Sequence, residues 1–99
     1  MENKKTKWFT FRQNNSSGSF IRDKDLNVFV IIEAYDEVHA FARAIEVGIY
    51  FDGVADGKDC ECCGDRWSRY FDESDVPMIY GETIEQSEEK HRMVLHPLS

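Results

Sequence analysis

An unbroken apolar run at residues 26–34, LNVFVIIEA, constrains the fold more than any other part of the sequence. β-branched and aromatic residues dominate this run, and such side chains pack well on a pleated surface. A short continuous run of this type is typical of a strand that is buried on both sides. The sequence therefore predicts a strand here that is covered on both faces.

A second strand is predicted at residues 7–13, KWFTFRQ, because its side chains alternate between two faces. The two faces carry different residues, with Trp8, Thr10 and Arg12 on one and Phe9, Phe11 and Gln13 on the other. The asparagine-serine loop (residues 14–19, NNSSGS) follows. Its short polar side chains bond to their own backbone and tolerate left-handed conformations, so the segment is predicted to be a loop.

The main helix is predicted at residues 36–47. Asp36 suits an N-cap, because its carboxylate accepts a backbone N–H of the first turn, and Gly48 is typical of a helix end. Two sets of residues fall at helical spacing: Val38, Phe41, Ala42 and Ile45, predicted to face the sheet, and Glu37, His39, Arg43 and Glu46, predicted to face solvent. The predicted fold class is α+β, with a small antiparallel sheet, this helix packed on it, and an irregular cysteine-rich loop.

Patterns in the last third of the chain are weaker. Aromatic residues predict strand character at 66–71, a short strand at 78–80 follows Pro77, and 82–90 has weak helical character. A last strand is predicted at 91–96. A chain of 99 residues has the usual size of one domain, so residues 1–99 are predicted to form a single domain with an ordered core at about 7–96.

Charge and composition exclude several classes of partner. The longest apolar run is far too short to span a bilayer, which predicts no membrane segment. The net charge of −7 repels phosphate backbones, so direct binding to nucleic acid is disfavoured. Three cysteines within four positions suit a reducing compartment better than a secreted disulfide framework. The predicted location is the cytoplasm.

Between residues 52 and 75, eight carboxylates accompany three cations, a local charge of 3 − 8 = −5. The carboxylates are Asp52, Asp56, Asp59, Glu61, Asp65, Asp72, Glu73 and Asp75. A solvated surface explains this excess most simply. A docking face for a basic partner, or a mimic of DNA phosphates, is the alternative.

The segment Cys60-Glu61-Cys62-Cys63-Gly64 contains the Cys-x-x-Cys-Gly pattern of a zinc knuckle, which aims two thiolates at one metal. Cys60 and Cys63 are therefore candidate zinc ligands. The remaining ligands would come from an aspartate, from a second subunit in a homo-oligomer, or from Cys62, His39, His91 or His96. Inert thiols in a tight loop are the alternative. Thiol catalysis is disfavoured, because nearby carboxylates oppose a thiolate and no helix starts after the cysteines.

Two stretches carry the residue types that recognise planar anionic ligands. Hydrogen bonds would come from Arg12, Asn14, Asn15, Ser16 and Ser17, and charge and stacking from Arg66, Trp67 and Tyr70. These residues form one site only if the asparagine-serine loop meets the cysteine loop (residues 60–67). A plain hairpin connection and a core tryptophan flanked by surface arginines are the alternatives.

The stretches FTFRQNNSSGSF at 9–20, VIIEA at 30–34 and GIYFDGVADGKDCECCGDRW at 48–67 resemble a family of small uncharacterised proteins encoded by tailed bacteriophages. The resemblance covers about the first two thirds of the chain. It implies a phage product made in the cytoplasm of a bacterial host, and it transfers no activity.

No complete catalytic signature is present, so an enzyme is not predicted. The leading hypothesis is a non-enzymatic binding protein that inhibits or sequesters a host protein, such as an anti-phage defence protein, or a nucleotide-like signal. A structural zinc accessory in phage replication or assembly, and an acidic DNA mimic, are the alternative hypotheses.

Overall fold

A four-stranded sheet lies at the centre of the computed structural model, which describes residues 5–15 and 18–98. Its strands are β1 (Lys7–Arg12), β2 (Phe29–Ala34), β3 (Asp72–Ser74) and β6 (Met93–His96), numbered in chain order with the two strands of a separate hairpin. The spatial order is β3-β1-β2-β6. β1 runs antiparallel to both β2 and β3, whereas β6 runs parallel to β2. The predicted α+β class is confirmed, with a mixed sheet in place of a purely antiparallel one.

The predicted main helix is confirmed as α1 (Glu37–Val47). The Asp36 carboxylate accepts the backbone N–H of His39 at 2.8 Å, which satisfies one of the free donors of the first turn. Gly48 ends the helix with φ of 114° and donates its N–H to carbonyls of the last turn. No helix in the described part of the chain is long and apolar enough to cross a membrane.

The helix faces the sheet with a different set of residues from the one predicted. Ala40 and Ala44 are fully buried, while Val38 is 75% exposed and Ile45 is 61% exposed. Ala42 is also exposed, so only Phe41 of the predicted stripe packs against the core. Small alanine side chains let the helix backbone approach the sheet, and Phe41 fills the space beside them with an edge contact to Phe11 at 5.7 Å. The predicted stripe was therefore wrong in its position around the helix.

Both faces of β2 are buried, as predicted. Val30, Ile32 and Ala34 pack on the helix side, and Phe29 and Ile31 pack on the opposite side. A small hairpin covers that opposite side, formed by β4 (Met78–Ile79) and β5 (Glu82–Thr83). The sheet is therefore the middle layer, between the helix and this hairpin.

Three segments differ from the prediction. Residues 66–71 form no strand, and only Trp67 makes an isolated bridge, to Gln13. The polar segment 72–75 supplies β3, because an edge strand exposed to solvent needs few apolar side chains. Residues 82–90 are not helical, since they contain β5 and turns before a short 3-10 turn at Lys90–Arg92. The last predicted strand is confirmed as β6.

Two substitutions at neighbouring helix positions test how α1 is oriented. Ala44→Leu should overpack the buried face and lower the free energy of unfolding by about 1–3 kcal/mol. Ile45→Ala removes an exposed side chain and should change that free energy by no more than about 0.5 kcal/mol. Urea unfolding followed by circular dichroism measures both values. A loss of about 2–5 kcal/mol for Ile45→Ala, as for a buried isoleucine, would contradict this orientation.

Candidate functional site

The asparagine-serine loop and the cysteine loop meet at the end of β1. Asn14 donates its backbone N–H to the Arg66 carbonyl at 2.7 Å. Its side-chain amide donates to the carbonyls of Cys63 at 2.9 Å and Asp65 at 3.2 Å. The convergence on which the sequence hypothesis depended is present. The Asn14 side chain is used in this contact between the two loops. Asn15 is exposed, and Ser16 and Ser17 lie outside the described residues.

Arg66 joins the two loops from inside the protein. It is 8% exposed and donates from Nη1 to Gln13 Oε1 and to the Ser19 carbonyl, each at 2.9 Å. Gln13 is itself fully buried and donates its amide to the carbonyls of Ile21 and Asn27, each at 3.0 Å. Buried polar groups of this kind hold a loop in one arrangement, because each of them is costly to leave unpaired.

Asp59 fixes the start of the cysteine loop. Its side chain is 1% exposed, and it accepts the Arg66 backbone N–H at 2.8 Å and the Tyr50 hydroxyl at 2.7 Å. Burial, together with the hydrogen bond to Asp59, raises the pKa of Tyr50. A Cβ on Gly53 would lie 1.9 Å from Asp59 Oδ2, so only glycine fits beside this carboxylate.

Trp67 does not contribute to a ligand surface. It is 1% exposed and belongs to the helix-side core, because its bridge to Gln13 directs the indole inward. The sequence hypothesis assigned charge to Arg66 and stacking to Trp67, but both residues are buried parts of the framework. Of Arg66, Trp67 and Tyr70, it is Tyr70 that reaches solvent, and it is 72% exposed.

Tyr70 and Arg12 come together in a cavity of about 240 Å³ on the hairpin side of the sheet. Its lining comes from β1, β2, the segment entering β3, and the hairpin: Thr10, Arg12, Phe29, Tyr70, Asp72 and Tyr80. Phe29 is 2% exposed and forms an apolar floor. Arg12 makes no ion pair or hydrogen bond with any described residue. We call this cavity the tyrosine pocket.

Two exposed phenol rings flank the tyrosine pocket. Tyr70 donates its hydroxyl to Asp72 Oδ1 at 2.7 Å, and this hydrogen bond with the carboxylate charge raises the pKa of Tyr70. Tyr80 is 63% exposed and contacts the Phe29 ring edge-on at 5.5 Å. The Thr10 hydroxyl is used for support, since it donates to the Met78 carbonyl at 2.8 Å and holds the hairpin on the sheet.

The backbone of the hairpin turn places Tyr80 at the pocket. Tyr80 has φ of 52° and Gly81 has φ of 80°, as in the two-residue turns that join antiparallel strands. A positive φ is strained for a tyrosine, and such strain is often found at functional positions. Thr10, Phe29, Asp72 and Tyr80 were not predicted from the sequence to belong to a ligand site. The alternation of β1, which puts Thr10 on the same face as Arg12, was the signal that pointed toward it.

A second cavity of about 510 Å³ continues from the tyrosine pocket along β3. The two cavities share three residues, Tyr70, Asp72 and Tyr80. Glu73 and Ser74 line the extension on the β3 side, and Met78 and Gly81 line it on the hairpin side. The combined space is a groove with its aromatic residues at one end and polar β3 side chains at the other.

The three cysteines lie together on the outside of the cysteine loop. Cys60 Sγ is 2.7 Å from Cys62 Sγ, and Cys62 Sγ is 3.6 Å from Cys63 Sγ. A hydrogen bond from the Cys62 thiol, followed by backbone hydrogen bonds from Cys62 and Cys63, lowers the pKa of Cys60. The hydrogen bond to Cys60, a second one to the Cys63 sulfur and the charges of these two neighbours raise the pKa of Cys62 to about 11. The pKa of Cys60 is lowered, whereas the nearby carboxylates led us to expect a thiolate to be disfavoured, because these hydrogen bonds favour the thiolate.

No metal site is assembled from the described residues, where no group of three or more histidine, cysteine or acidic side chains can hold an ion. His96 is in contact with the Asp25 carbonyl at 2.7 Å through Nε2, and His91 lies in the exposed 3-10 turn. His39 accepts the Tyr35 N–H at 3.1 Å through Nδ1. The histidines predicted as partners of Cys60 and Cys63 therefore have other surroundings.

A family model described as Domain of unknown function (DUF7296) matches residues 6–99. The chain belongs to the DUF7296 family. The match includes β1 to β6, α1, the cysteine loop and the tyrosine pocket, so these features lie within the family domain. No curated protein and no solved structure is significantly similar to the chain. Membership of an uncharacterised family is confirmed, and a phage origin stays a prediction.

The acidic segment of this DUF7296 chain does not form a row of free carboxylates. Asp59 is buried, Asp52 pairs with Arg69 at 2.8 Å, and Glu73 pairs with Lys7 at 3.2 Å. Asp65 accepts the Val54 N–H at 2.8 Å. A DNA mimic needs exposed charges at phosphate-like spacing, and these paired side chains count against that hypothesis.

Two aspartates of the same segment test the role of the Asp59 network. Asp59→Ala removes the acceptor of the Arg66 N–H and the Tyr50 hydroxyl and should lower the free energy of unfolding by about 3 kcal/mol. Asp56→Ala alters an exposed side chain and should change it by no more than about 0.5 kcal/mol. Urea unfolding followed by tryptophan fluorescence, to which Trp8 and buried Trp67 contribute, measures both free energies. Equal effects of the two substitutions would show that the network does not hold the loop.

The pKa of Tyr70 provides a test of the pocket geometry without any ligand. The Asp72 carboxylate accepts a hydrogen bond from the Tyr70 hydroxyl and opposes ionisation of that phenol. Asp72→Asn should therefore lower the pKa of Tyr70 toward its ordinary value. Ultraviolet titration of the phenolate, with Tyr70→Phe identifying the signal, measures this shift. Glu73→Gln is the matched control and should leave the pKa of Tyr70 raised. An unchanged pKa in Asp72→Asn would mean that the two side chains do not interact in solution.

Proposed function

We propose that this DUF7296 chain is a non-enzymatic binding protein and that the tyrosine pocket takes a nucleotide-like ligand. The observation that carries the proposal is the combination in one cavity of two exposed tyrosine rings, an apolar floor, and an Arg12 that pairs with none of the residues the structure describes. Pockets that bind small molecules are mostly apolar and contain a few convergent polar groups. Here the charged groups of the lining are the Arg12 guanidinium and the Asp72 carboxylate.

Each group suits one part of a nucleotide. The rings of Tyr70 and Tyr80 provide stacking surfaces, which are favourable for any base. Asp72 can accept from the N–H groups of a base, and the Arg12 guanidinium matches a phosphate with two parallel hydrogen bonds. The 240 Å³ cavity suits the base, and the 510 Å³ extension offers room for the rest of the ligand.

The overall charge restricts the ligand further. A protein with net charge −7 repels highly charged anions, and the one cation at the pocket is accompanied by Asp72. We therefore expect a ligand with few negative charges, such as a mononucleotide or a cyclic nucleotide, to bind more tightly than a triphosphate.

The Thr10 and Tyr70 hydroxyls at the pocket make hydrogen bonds that support binding over catalysis. Thr10 donates its hydroxyl to a backbone carbonyl, and Tyr70 donates its own to Asp72, which disfavours the phenolate. The Thr10 hydroxyl donates to a carbonyl, which is not a base that could activate it, and the Asp72 carboxylate raises the pKa of Tyr70 where a nucleophile would need it lowered. The proposed role is therefore retention of a ligand without conversion.

We place this binding function in a bacterial host cytoplasm, where the resemblance to phage proteins implies that the chain is made. A phage protein that retains a nucleotide-like signal would keep that signal from a host defence protein. Within the same proposal, the alternative partner is a host protein that the chain binds and inhibits directly. A structural zinc role is not favoured, because the described residues contain no complete ligand set.

Isothermal titration with adenosine, AMP, cyclic AMP and ATP tests the proposal. We expect AMP or cyclic AMP to bind, and Arg12→Ala to weaken that binding by roughly 10–100-fold while adenosine is affected little. Tyr80→Asn should also weaken it by about 10-fold or more, because a stacked ring is lost while asparagine accepts the positive φ of the turn.

Arg22→Ala is the matched control, since Arg22 is exposed and contacts Phe20 away from the pocket lining. Its affinity for AMP should equal that of the unmodified chain. Absence of heat with all four compounds would overturn the nucleotide proposal. Binding that persists unchanged in both Arg12→Ala and Tyr80→Asn would show that the ligand occupies another place.

A further inference from the structure

The cysteine loop presents a pair of thiols that the binding function does not use. Cys60 and Cys62 are both exposed, and their sulfur atoms are 2.7 Å apart. We propose that Cys60 and Cys62 are a reversible dithiol–disulfide pair that exchanges with small-molecule disulfides such as oxidised glutathione. This inference is independent of the tyrosine pocket, whose lining contains no cysteine.

The loop backbone holds the two thiols together before any reaction. The Cys60 carbonyl accepts the N–H groups of Cys63 at 3.2 Å and Gly64 at 3.1 Å, which closes a tight turn around Cys62. Gly64, with φ of 80°, lets the chain leave this turn without strain. A disulfide requires a sulfur separation of about 2.05 Å, so the 2.7 Å contact needs only a small movement of the side chains.

The base of the turn is fixed, so the entropy of bringing the two sulfurs together is already lost in the folded protein. The Asn14 side chain donates hydrogen bonds to the carbonyls of Cys63 and Asp65, and the Asp59 carboxylate accepts one from the backbone N–H of Arg66. Closing a loop costs conformational entropy in a flexible chain, and little of that cost remains here.

Cys60 is the attacking group and Cys62 completes the exchange. The Cys60 and Cys62 thiols share a hydrogen bond, and this contact, together with the neighbouring backbone of Cys62 and Cys63, lowers the pKa of Cys60 and so favours its thiolate. The thiolate attacks one sulfur of oxidised glutathione, forming a mixed disulfide and releasing a glutathione thiolate, which takes up a proton.

In the second step Cys62 loses its proton to water, and its sulfur attacks the Cys60 sulfur of the mixed disulfide. The Cys60–Cys62 disulfide forms and the second glutathione leaves as a thiolate, which is protonated in turn. Two electrons pass from the two cysteines to glutathione disulfide, and two molecules of reduced glutathione are produced. Reduced glutathione in excess reverses both steps.

Cys63 is the third thiol and a poorer partner. Its sulfur is 3.6 Å from Cys62 Sγ, and a disulfide between adjacent residues closes a small ring that strains the intervening peptide bond. Cys63 is also less exposed than the other two cysteines. We therefore expect it to remain a free thiol when the pair is oxidised.

The experiment equilibrates the full chain with defined ratios of oxidised and reduced glutathione, alkylates free thiols, and maps the products by mass spectrometry. Cleavage after Glu61 separates Cys60 from Cys62, so a disulfide between them holds two peptides together. We expect one intramolecular Cys60–Cys62 disulfide and one alkylated Cys63 per chain.

Three serine variants, each compared by circular dichroism to establish that it folds, complete the test. Cys63→Ser should form the disulfide at the same glutathione ratio as the unmodified chain. Cys62→Ser should stop at a mixed disulfide on Cys60, and Cys60→Ser should lose the rapid reaction. A Cys60–Cys63 linkage, a disulfide between two chains, or three alkylated thiols throughout the range of ratios would overturn the proposal.

Discussion

The buried hydrogen bonds of Arg66 are the interaction on which the two functional regions depend. Arg66 reaches from the cysteine loop to Gln13 at the end of β1 and to the Ser19 carbonyl, while its own backbone N–H is held by Asp59. These groups are removed from solvent, so breaking one contact leaves another polar group unpaired at a cost of about 1–3 kcal/mol. The chain can therefore leave the helix and return to the sheet through an irregular segment that still has one conformation.

This anchoring also explains why Tyr70 reaches a pocket on the opposite side of the sheet. Trp67 is fixed in the helix-side core by its bridge to Gln13, and only Ser68 and Arg69 separate it from Tyr70. The chain then enters β3 at the sheet edge, where Asp72 accepts the Tyr70 hydroxyl. A buried anchor and an exposed ring lie three residues apart because side chains of this segment alternate between the two sides of the sheet, with Phe71 returning to the helix-side core.

Features that depend on local periodicity could be predicted from the sequence. The apolar run of β2, the alternation of β1, and the helix between Asp36 and Gly48 follow from side-chain spacing and capping. The orientation of the helix did not follow, because hydrophobicity favours Val38 and Ile45 whereas close packing against the sheet selects Ala40 and Ala44. Such a choice is made by the shape of the partner surface, which a single segment does not encode.

The candidate site was predictable only in part for the same reason. Arg12 and Tyr70 were selected for their chemistry, and they do meet, but 57 residues separate them in the sequence (70 − 12 − 1). Arg66 and Trp67 have equally suitable chemistry and are buried instead, because long-range contacts with Gln13 decide their environment. The position of Tyr80 at the pocket could not be predicted, because it depends on a turn with positive φ and a tyrosine there has no sequence signal comparable to that of glycine.

The tyrosine pocket and the thiol pair share the end of β1, yet the structure separates them mechanically. Arg12 faces the pocket, and Asn14, two residues later, holds the cysteine loop. Between them Gln13 is fully buried, with its backbone N–H bonded to the Val28 carbonyl at 2.7 Å and its amide to two further carbonyls. A residue fixed at so many points transmits little displacement, because moving it would break several buried hydrogen bonds together. Oxidation of the thiols and occupation of the pocket are therefore expected to be independent, which makes the buried glutamine a boundary between two sites carried by one small sheet.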